Sequence, residues 1–111
     1  MDRRQKGYAG EELVLKNYLA RGYDHLVSNF TIRGGEIDII VENDDTTVFV
    51  EVKVINHIDD IFGYVTDKKL YFLRKAIEHY MIEQPTKPQI RLDVVFVKGD
   101  QIVEAYENVG G

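Results

Sequence analysis

Val48-Phe49-Val50-Glu51-Val52-Lys53-Val54 is the stretch that decides how the chain folds. Its apolar run predicts a central β-strand, in which successive side chains point to opposite faces of the sheet. The valines then face one way, and Phe49, Glu51 and Lys53 face the other. Burying charged groups on a strand is costly unless they pair with each other or meet an ion. An acid and a base on one strand face therefore indicate a site that handles charge.

A second acid is available in Gly35-Glu36-Ile37-Asp38-Ile39-Ile40, which predicts a neighbouring strand. By the same period of two, Glu36 and Asp38 share one face, and the isoleucines on either side of Asp38 share the other. The turn Asn43-Asp44-Asp45 makes the two strands hairpin partners. Asp38 and Glu51 can therefore come within a few ångströms of each other if the register places them opposite.

Two such carboxylates suit a Mg²⁺ ion, with Mn²⁺ as an alternative. Mg²⁺ takes hard oxygen ligands and keeps several waters, so two carboxylates and a backbone carbonyl are enough. The metal could lower the pKa of a bound water and neutralise charge that develops on a scissile phosphate. Lys53 would then orient the attacking water or stabilise the negative transition state. The alternative is a cross-strand salt bridge on a solvated sheet face, and the spacing alone leaves both open.

A third acid lies on the first helix, which is predicted from Tyr8 to Arg21. At about 100° per residue, Glu11 falls near the middle of the apolar face that includes Val14 and Tyr18. A carboxylate on a core-facing stripe needs a partner, which an acidic metal site beneath the helix would supply. The alternative is that Glu11 is a first-turn acid favoured by the helix dipole.

The second helix offers a candidate contact to nucleic acid. It is predicted to begin with Thr66 or Asp67 as its cap and to end near Glu83, before two prolines. Lys69 lies at the flank of its apolar face, where the long side chain could reach a bound phosphate. The alternative is an ordinary exposed helix lysine.

The order of the elements predicts an α/β fold: helix, three strands, helix, then one or two strands. The strands are predicted at 25–32, 36–42, 46–54, 90–97 and 101–106, with a loop at 56–64. The three early strands are joined too tightly for helical crossovers, so they should form an antiparallel meander. The second helix can carry the chain back across the sheet, which allows the fourth strand to lie parallel to the third. We expect a single domain over residues 1–111, with a mixed sheet flanked by helices and flexible ends at 1–6 and 110–111.

The composition is that of an ordinary globular protein, with 44% hydrophobic and 30% charged residues. No stretch approaches the ~18 apolar residues of a membrane span, and no apolar signal-peptide region follows the basic N-terminus. The absence of cysteine excludes a disulfide framework and a thiolate metal site. We therefore expect a cytoplasmic protein with no membrane contact.

The net charge of −5 counts against a simple nucleic-acid binder, since phosphate neutralisation normally needs an excess of Lys and Arg. The distribution of charge along the chain weakens this argument against nucleic-acid binding. Residues 36–60 hold eight acids against the single base Lys53, and residues 68–91 hold six bases against two acids. The two regions could form an acidic metal centre with a cationic rim, or two ordinary solvated faces, and charge alone does not decide.

Taken together, these residues resemble the small bacterial YraN family over nearly the whole chain. The matching stretches are Gly7-Tyr8-Ala9-Gly10-Glu11, Asn29, Gly35-Glu36-Ile37-Asp38-Ile39-Ile40, Phe49-Val50-Glu51-Val52-Lys53, Lys69, Arg91-Leu92-Asp93-Val94-Val95 and Glu107-Asn108. The pairing of GEID with FVEVK is far more specific than an acid and a lysine two positions apart. That family looks endonuclease-like and belongs to the restriction-endonuclease-like PD-(D/E)XK superfamily, with archaeal Holliday junction resolvases as its structural kin.

The resemblance implies a role for each candidate residue. It implies that Asp38, Glu51 and Lys53 form the catalytic core and that Asp38 and Glu51 bind the metal. It further implies that Glu11, the helix acid beside that core, takes part in catalysis and metal binding, and that Lys69, a lysine of the following helix, contacts nucleic acid. The implied activity is a Mg²⁺-dependent endonuclease acting on DNA, branched or junction DNA in particular. A homodimer would suit the symmetric cutting of two strands, although no sequence feature marks an interface.

The chain departs from the usual family pattern just after Lys53. The family continues with a basic residue two positions later, where this chain has Ile55, and the next loop is shorter and carries Asp59 and Asp60. The loss of a base and the gain of acids favour a rival hypothesis, a nuclease-like fold that binds nucleic acid or a protein without turnover. A third hypothesis, a structural protein with surface ion pairs, predicts neither metal nor nucleic-acid binding.

Overall fold

The computed structural model describes residues 3–111, with side chains from Gly7 onward. The helices are α1 (Arg3–Ala20) and α2 (Asp67–Glu83), and the strands are β1 (Asp24–Ile32), β2 (Gly35–Glu42), β3 (Thr46–Val54), β4 (Gln89–Lys98) and β5 (Gln101–Tyr106). A short 3₁₀ helix, Ile58–Ile61, lies in the segment predicted as a loop. The predicted order of helices and strands is confirmed. In the described part of the chain, no helix combines the length and the apolar character needed to cross a bilayer.

The two ends of the chain differ from the prediction in detail. Helix α1 begins at Arg3 rather than Tyr8, so residues 3–6, expected to be flexible, have helical backbone. The rest of that prediction falls on residues 1–2, which lie outside the described residues. At the other end, the Arg74 side chain donates a hydrogen bond of 2.9 Å to the carbonyl oxygen of Gly110. The C-terminal glycines therefore lie against α2.

The sheet is mixed and has the strand order β1-β2-β3-β4-β5. Strands β1, β2 and β3 pair antiparallel, as the short connections predicted. Strand β4 pairs parallel to β3, because α2 carries the chain back across the sheet, and β5 then pairs antiparallel to β4. This is the predicted meander followed by a crossover, and it makes β3 the central strand.

The core consists of two main layers, one on each face of the sheet. The α1 face buries Val14, Tyr18, Ile39, Val41, Val48, Val50, Val95 and Val97. The α2 face buries Ile37, Ile40, Phe49, Leu73, Ala76, Ile77, Tyr80 and Leu92. The valines of β3 thus pack toward α1 and Phe49 toward α2, so the predicted alternation along β3 is confirmed.

The regular alternation of side chains between the two faces of the sheet is interrupted in β2 at Asp38. Ile37 packs on the α2 face and Ile39 on the α1 face, whereas a regular strand would put both on one side. On β1, Asn29 lies opposite Asp38 and has a φ of 55°. This left-handed conformation is one that Asn tolerates better than most residues. The prediction that the two isoleucines share a face was therefore wrong, because the backbone on both strands is irregular at this level.

A fully paired acid lies on the α1 face, away from this break. Asp93 is 1% exposed, and both of its oxygens receive hydrogen bonds from Arg91 at 2.9 Å. Tyr18 donates to it at 2.6 Å and the backbone N–H of Asn108 at 3.2 Å. Arg91 is thus its ion-pair partner. The cluster ties α1 and the C-terminal segment to β4, which is a structural role.

Two glycines let the helices approach the sheet closely. A Cβ on Gly10 would lie 2.8 Å from a methyl carbon of Val54, so α1 could not rest on β3 as it does. A Cβ on Gly35 would lie 2.9 Å from the carbonyl oxygen of Phe72 in α2. The approach at Gly10 places the next residue, Glu11, above the end of β3.

We predict that Gly10→Ala lowers the free energy of unfolding by about 1–3 kcal/mol, the usual cost of overpacking. The added methyl group meets the stiff, β-branched side chain of Val54. Urea denaturation checks this, with Gly7→Ala as the matched control. A Cβ at Gly7 meets no atom within 4 Å, so the control should be at least as stable as the parent. Equal stabilities for the two variants would contradict the close approach of α1.

Candidate active site

A polar cleft of about 820 Å³ opens where β2 and β3 separate. The ladder between these strands ends at the pair Ile39–Val50. The walls of the cleft come from α1, β2, β3, α2 and the loop before α2. Among the side chains that the structure describes, the charged ones that line the cleft are Glu11, Glu36, Asp38, Glu51, Lys53 and Lys69. All five residues singled out from the sequence therefore share one cleft.

The Asp38 and Glu51 side chains are in contact at the base of the cleft. Extending the register beyond Ile39–Val50 places Asp38 opposite Glu51, and the two carboxyl groups lie close enough for Glu51 to raise the pKa of Asp38. The backbone N–H of Val52 also donates to Asp38 at 2.7 Å. The break in β2 is what turns the Asp38 side chain toward β3. The two acids therefore lie close together, as the predicted hairpin allowed.

The contact changes the protonation of Asp38. Burial raises the pKa of Asp38, and the hydrogen bond with Glu51 and the negative charge of Glu51 raise it further, to about 9. The Val52 N–H opposes this shift but does not cancel it. Like charges at this distance cannot both persist without compensation. The raised pKa therefore favours the protonated form of Asp38 at neutral pH.

Glu11 reaches the same cleft from α1. The Asn29 amide donates hydrogen bonds to Glu11 at 2.8 Å and to Glu36 at 3.3 Å, and so holds the two acids side by side. Burial raises the pKa of Glu11, and the charges of Glu36 and Glu51 add to the rise against the Asn29 hydrogen bond. Since α1 begins at Arg3, about two turns earlier, Glu11 is not a first-turn acid. That alternative was wrong.

Lys69 makes the one strong ion pair of the cleft, among the residues that the structure describes. Its Nζ lies 2.6 Å from an oxygen of Glu51, whose side chain is only 6% exposed. Tyr64 donates its hydroxyl to the same oxygen at 3.0 Å. Burial lowers the pKa of Lys69, but the hydrogen bond and charge of Glu51 outweigh burial, so its pKa is raised. Lys69 is therefore not an ordinary exposed helix lysine, and Glu51 does not pair with Lys53.

Lys53 lies in the cleft without an acidic partner in the described part of the chain. Its Nζ is 5.4 Å from the centre of the Tyr64 ring, and the Nζ of Lys69 is 5.2 Å from the same centre. Such cation–π contacts hold an ammonium group while leaving its charge uncompensated. Lys53 thus keeps a positive charge available beside the two carboxyl groups.

Tyr64 is the site residue that the sequence did not reveal. Its hydroxyl donates to Glu51, and its ring contacts the ammonium groups of both Lys53 and Lys69. It belongs to the connection between β3 and α2, where no periodic pattern tells which way a side chain points. Asn56, in the same connection, also lines the cleft. No signal in the sequence distinguishes either residue from its neighbours.

Ile55, where the family has a base, does not line the cleft. It is 3% exposed and packs with Val94 and Phe96 in a third apolar cluster. A long basic side chain at this position would have to leave that cluster to reach the cleft. The Ile55 side chain therefore fills the core, and the charged groups that line the cleft are unaffected by it.

Comparison with known proteins identifies the family. The sequence profile described as "Uncharacterised protein family UPF0102" matches residues 10–97. The chain belongs to the UPF0102 family. The match includes all five candidate residues and confirms the YraN resemblance carried by GEID and FVEVK.

Three UPF0102 relatives are similar to this chain over most of its length. A protein of Campylobacter fetus is 31% identical over 96 residues, which is 86% of each chain. A protein of Cytophaga hutchinsonii is 33% identical over 106 residues, or 92% of each chain. A protein of Carboxydothermus hydrogenoformans is 40% identical over 87 residues, covering 75% of this chain and 72% of its own. Their names state a family and no activity, so the chemistry has to be argued from the cleft.

The donor set of the cleft fits a hard divalent cation. Asp38 and Glu51 supply carboxylate oxygens, which Mg²⁺ and Mn²⁺ favour, and Glu11 is close enough for its pKa to respond to Glu51. Two acids buried this close together mark a place where positive charge is needed. A cation held by both carboxylates would supply it.

We predict that the metal-free protein loses stability as the pH rises between the ordinary Asp pKa of 3.8 and the raised pKa of about 9. In this range the unfolded chain releases the Asp38 proton while the folded chain keeps it, so folding costs more at each higher pH. Asp38→Asn removes this group and should gain on the order of 1–3 kcal/mol over the parent at pH 8–9.

Urea denaturation at a series of pH values, with a chelator present, measures the effect. Asp100→Asn, in the exposed β4–β5 turn, is the matched control and should follow the parent curve. If Asp38→Asn gains no more stability over the parent at pH 9 than at pH 5, the raised pKa of Asp38 is contradicted.

Proposed function

We propose that this UPF0102 protein is a Mg²⁺-dependent nuclease of the PD-(D/E)XK superfamily that hydrolyses phosphodiester bonds of DNA. The observation that carries the proposal is the contact between Asp38 and Glu51 at the base of an open polar cleft, with Lys53 beside them. Two acids that can hold a metal ion, beside an amine with no acidic partner among the described residues, suit metal-assisted hydrolysis of a phosphodiester. The order of elements, αβββαββ, agrees with the core of that superfamily.

Asp38 and Glu51 would hold the Mg²⁺ ion, or Mn²⁺ in its place, with Glu11 as a third acid at the edge of the site. When bound, the ion supplies Lewis-acid stabilisation of the phosphate and a water of lowered pKa. Asn29 keeps Glu11 oriented toward the cleft, and the Val52 N–H keeps one oxygen of Asp38 in place. These hydrogen bonds pre-organise the acids and limit the rearrangement that binding requires.

Lys53 would act on the phosphate directly. Its ammonium group orients the attacking water or stabilises the negative charge that develops on the phosphate oxygens. Tyr64 limits the motion of this side chain through its ring face. Removing one such electrostatic contact typically slows the chemical step by a factor of about 10²–10³.

Substrate contacts would come from the basic side of α2. Lys68, Arg74 and Lys75 are exposed on this helix, and Lys69 lies at the mouth of the cleft. They offset the net charge of −5 near the site and can contact the sugar–phosphate backbone. We propose branched or junction DNA as the substrate, met in the cytoplasm, and a homodimer as the form that would cut two strands.

A binding module without turnover is the second candidate, and the ion pair between Lys69 and Glu51 favours it. Among the described residues, Glu51 has a counter-ion in Lys69, and the raised pKa of Asp38 favours its neutral form, so these two acids add little net negative charge to the cleft. A protein that only binds nucleic acid could keep this arrangement. The two candidates differ in whether a divalent cation is bound and a phosphodiester bond is broken.

We predict that the purified protein with Mg²⁺ cleaves branched DNA and that Lys53→Ala lowers the rate at least about 10²-fold. Cleavage of a labelled four-way junction, followed on a gel, measures the rate. Lys98→Ala is the matched control, because Lys98 is exposed at the end of β4, outside the cleft. It should cleave at the parent rate.

If Lys53→Ala and the parent cleave equally, the activity belongs to a contaminant and the nuclease proposal fails. If the parent binds the junction tightly but never cleaves it with Mg²⁺ or Mn²⁺, the binding module is the correct function.

A further inference from the structure

We propose that Lys69 and a divalent cation are alternative counter-ions of Glu51, so that Lys69 is released toward the phosphate backbone only when the cation binds. Lys69 would then couple metal binding to nucleic-acid binding. The inference rests on the proposed function in one respect, namely that the cleft binds a divalent cation. It goes further by assigning Lys69 two positions and a regulatory role.

The surroundings of Glu51 are already filled in the metal-free protein. One oxygen receives the ammonium group of Lys69 at 2.6 Å and the hydroxyl of Tyr64 at 3.0 Å, and Asp38 lies opposite the same side chain across the hairpin. A neutral hydroxyl can stay beside a metal ligand. A second full positive charge on that oxygen cannot, because two cations a few ångströms apart repel strongly in a poorly solvated site. Lys69 is therefore the partner that has to leave.

The position of Lys69 on α2 allows it to leave without unfolding the helix. Its backbone N–H is bound by the side chain of the cap residue Thr66 at 3.1 Å, so the first turn of α2 is fixed. Its side chain, in contrast, is 37% exposed and lies at the mouth of the cleft. The ring of Tyr64, 5.2 Å from Nζ, offers a second contact as the ammonium group moves.

The two binding events are then linked in both directions. A cation on Glu51 frees Lys69 for a phosphate, and a phosphate on Lys69 frees Glu51 for a cation. Such a coupling free energy is the same in either direction. The metal-free protein would hold its own lysine away from DNA, and a protein that has bound both would be committed to the reaction.

The test measures Mn²⁺ binding to the metal-free protein by isothermal titration calorimetry, with Mn²⁺ alone and no DNA. Lys69→Gln keeps a hydrogen-bond donor for Glu51 but removes the charge. We expect it to bind Mn²⁺ on the order of tenfold more tightly than the parent, because the competing cation is gone. Lys98→Gln changes an exposed lysine outside the cleft by the same chemistry and should match the parent.

Tyr64→Phe separates competition by charge from simple loosening of Glu51. It removes a neutral hydrogen bond from the same oxygen and keeps the ring, so its Mn²⁺ affinity should stay close to that of the parent. A second measurement follows the side chain itself by reductive methylation and mass spectrometry. Mg²⁺ should speed the modification of Lys69 several-fold and leave that of Lys68 unchanged. Circular dichroism establishes that each variant is folded.

The inference is overturned if Lys69→Gln binds Mn²⁺ no more tightly than the parent, or if Tyr64→Phe gains as much affinity as Lys69→Gln. In either case Mn²⁺ still binds, and the proposed function stands. If the parent and Lys69→Gln both bind no Mn²⁺, like an Asp38→Asn control, then the metal site is absent and both proposals fail.

Discussion

The contact between the carboxyl groups of Asp38 and Glu51 is unfavourable unless a proton or a cation lies between them. Several neighbouring features are arranged around that constraint. The Val52 N–H holds one oxygen of Asp38, Lys69 and Tyr64 hold one of Glu51, and the pKa of Asp38 rises so that the pair keeps a proton. A fold selected for stability alone would have little reason to bring two acids together at this depth.

Asp93 shows how the same sheet treats an acid with a structural role. Arg91, Tyr18 and the Asn108 N–H together satisfy both oxygens of its carboxylate, which therefore needs no ion. The acids of the cleft meet each other instead, beside a lysine that has no acidic partner among the described residues. Burial alone does not separate the two cases, since Asp93 and Glu51 are both almost inaccessible. The partners of the two acids do separate them. They point to a bound ligand beside Glu51 in the cleft and to none beside Asp93.

Much of this arrangement could be predicted from the sequence, because the strongest signals are local. Strand alternation and tight turns predicted the meander, and the hairpin placed Asp38 near Glu51. The break at Asp38 could not be predicted, since a period of two assumes a regular strand and Asn29 adopts its left-handed φ only in the folded sheet. Tyr64 was missed because it lies in a connection without periodicity. Lys69 was predicted at the right place, but its attachment to Glu51 depends on how α2 docks.

The central claim is that Asp38 and Glu51 form one cation site, and a crystal structure of the protein soaked in Mn²⁺ tests it most directly. Anomalous scattering locates the metal without reference to activity. The account predicts a Mn²⁺ peak bridging the two carboxylates, at the ~2.0–2.2 Å typical of carboxylate ligands to such ions, with the Lys69 ammonium group displaced. A map with no peak there, and with Lys69 still bound to Glu51 at saturating Mn²⁺, would contradict it.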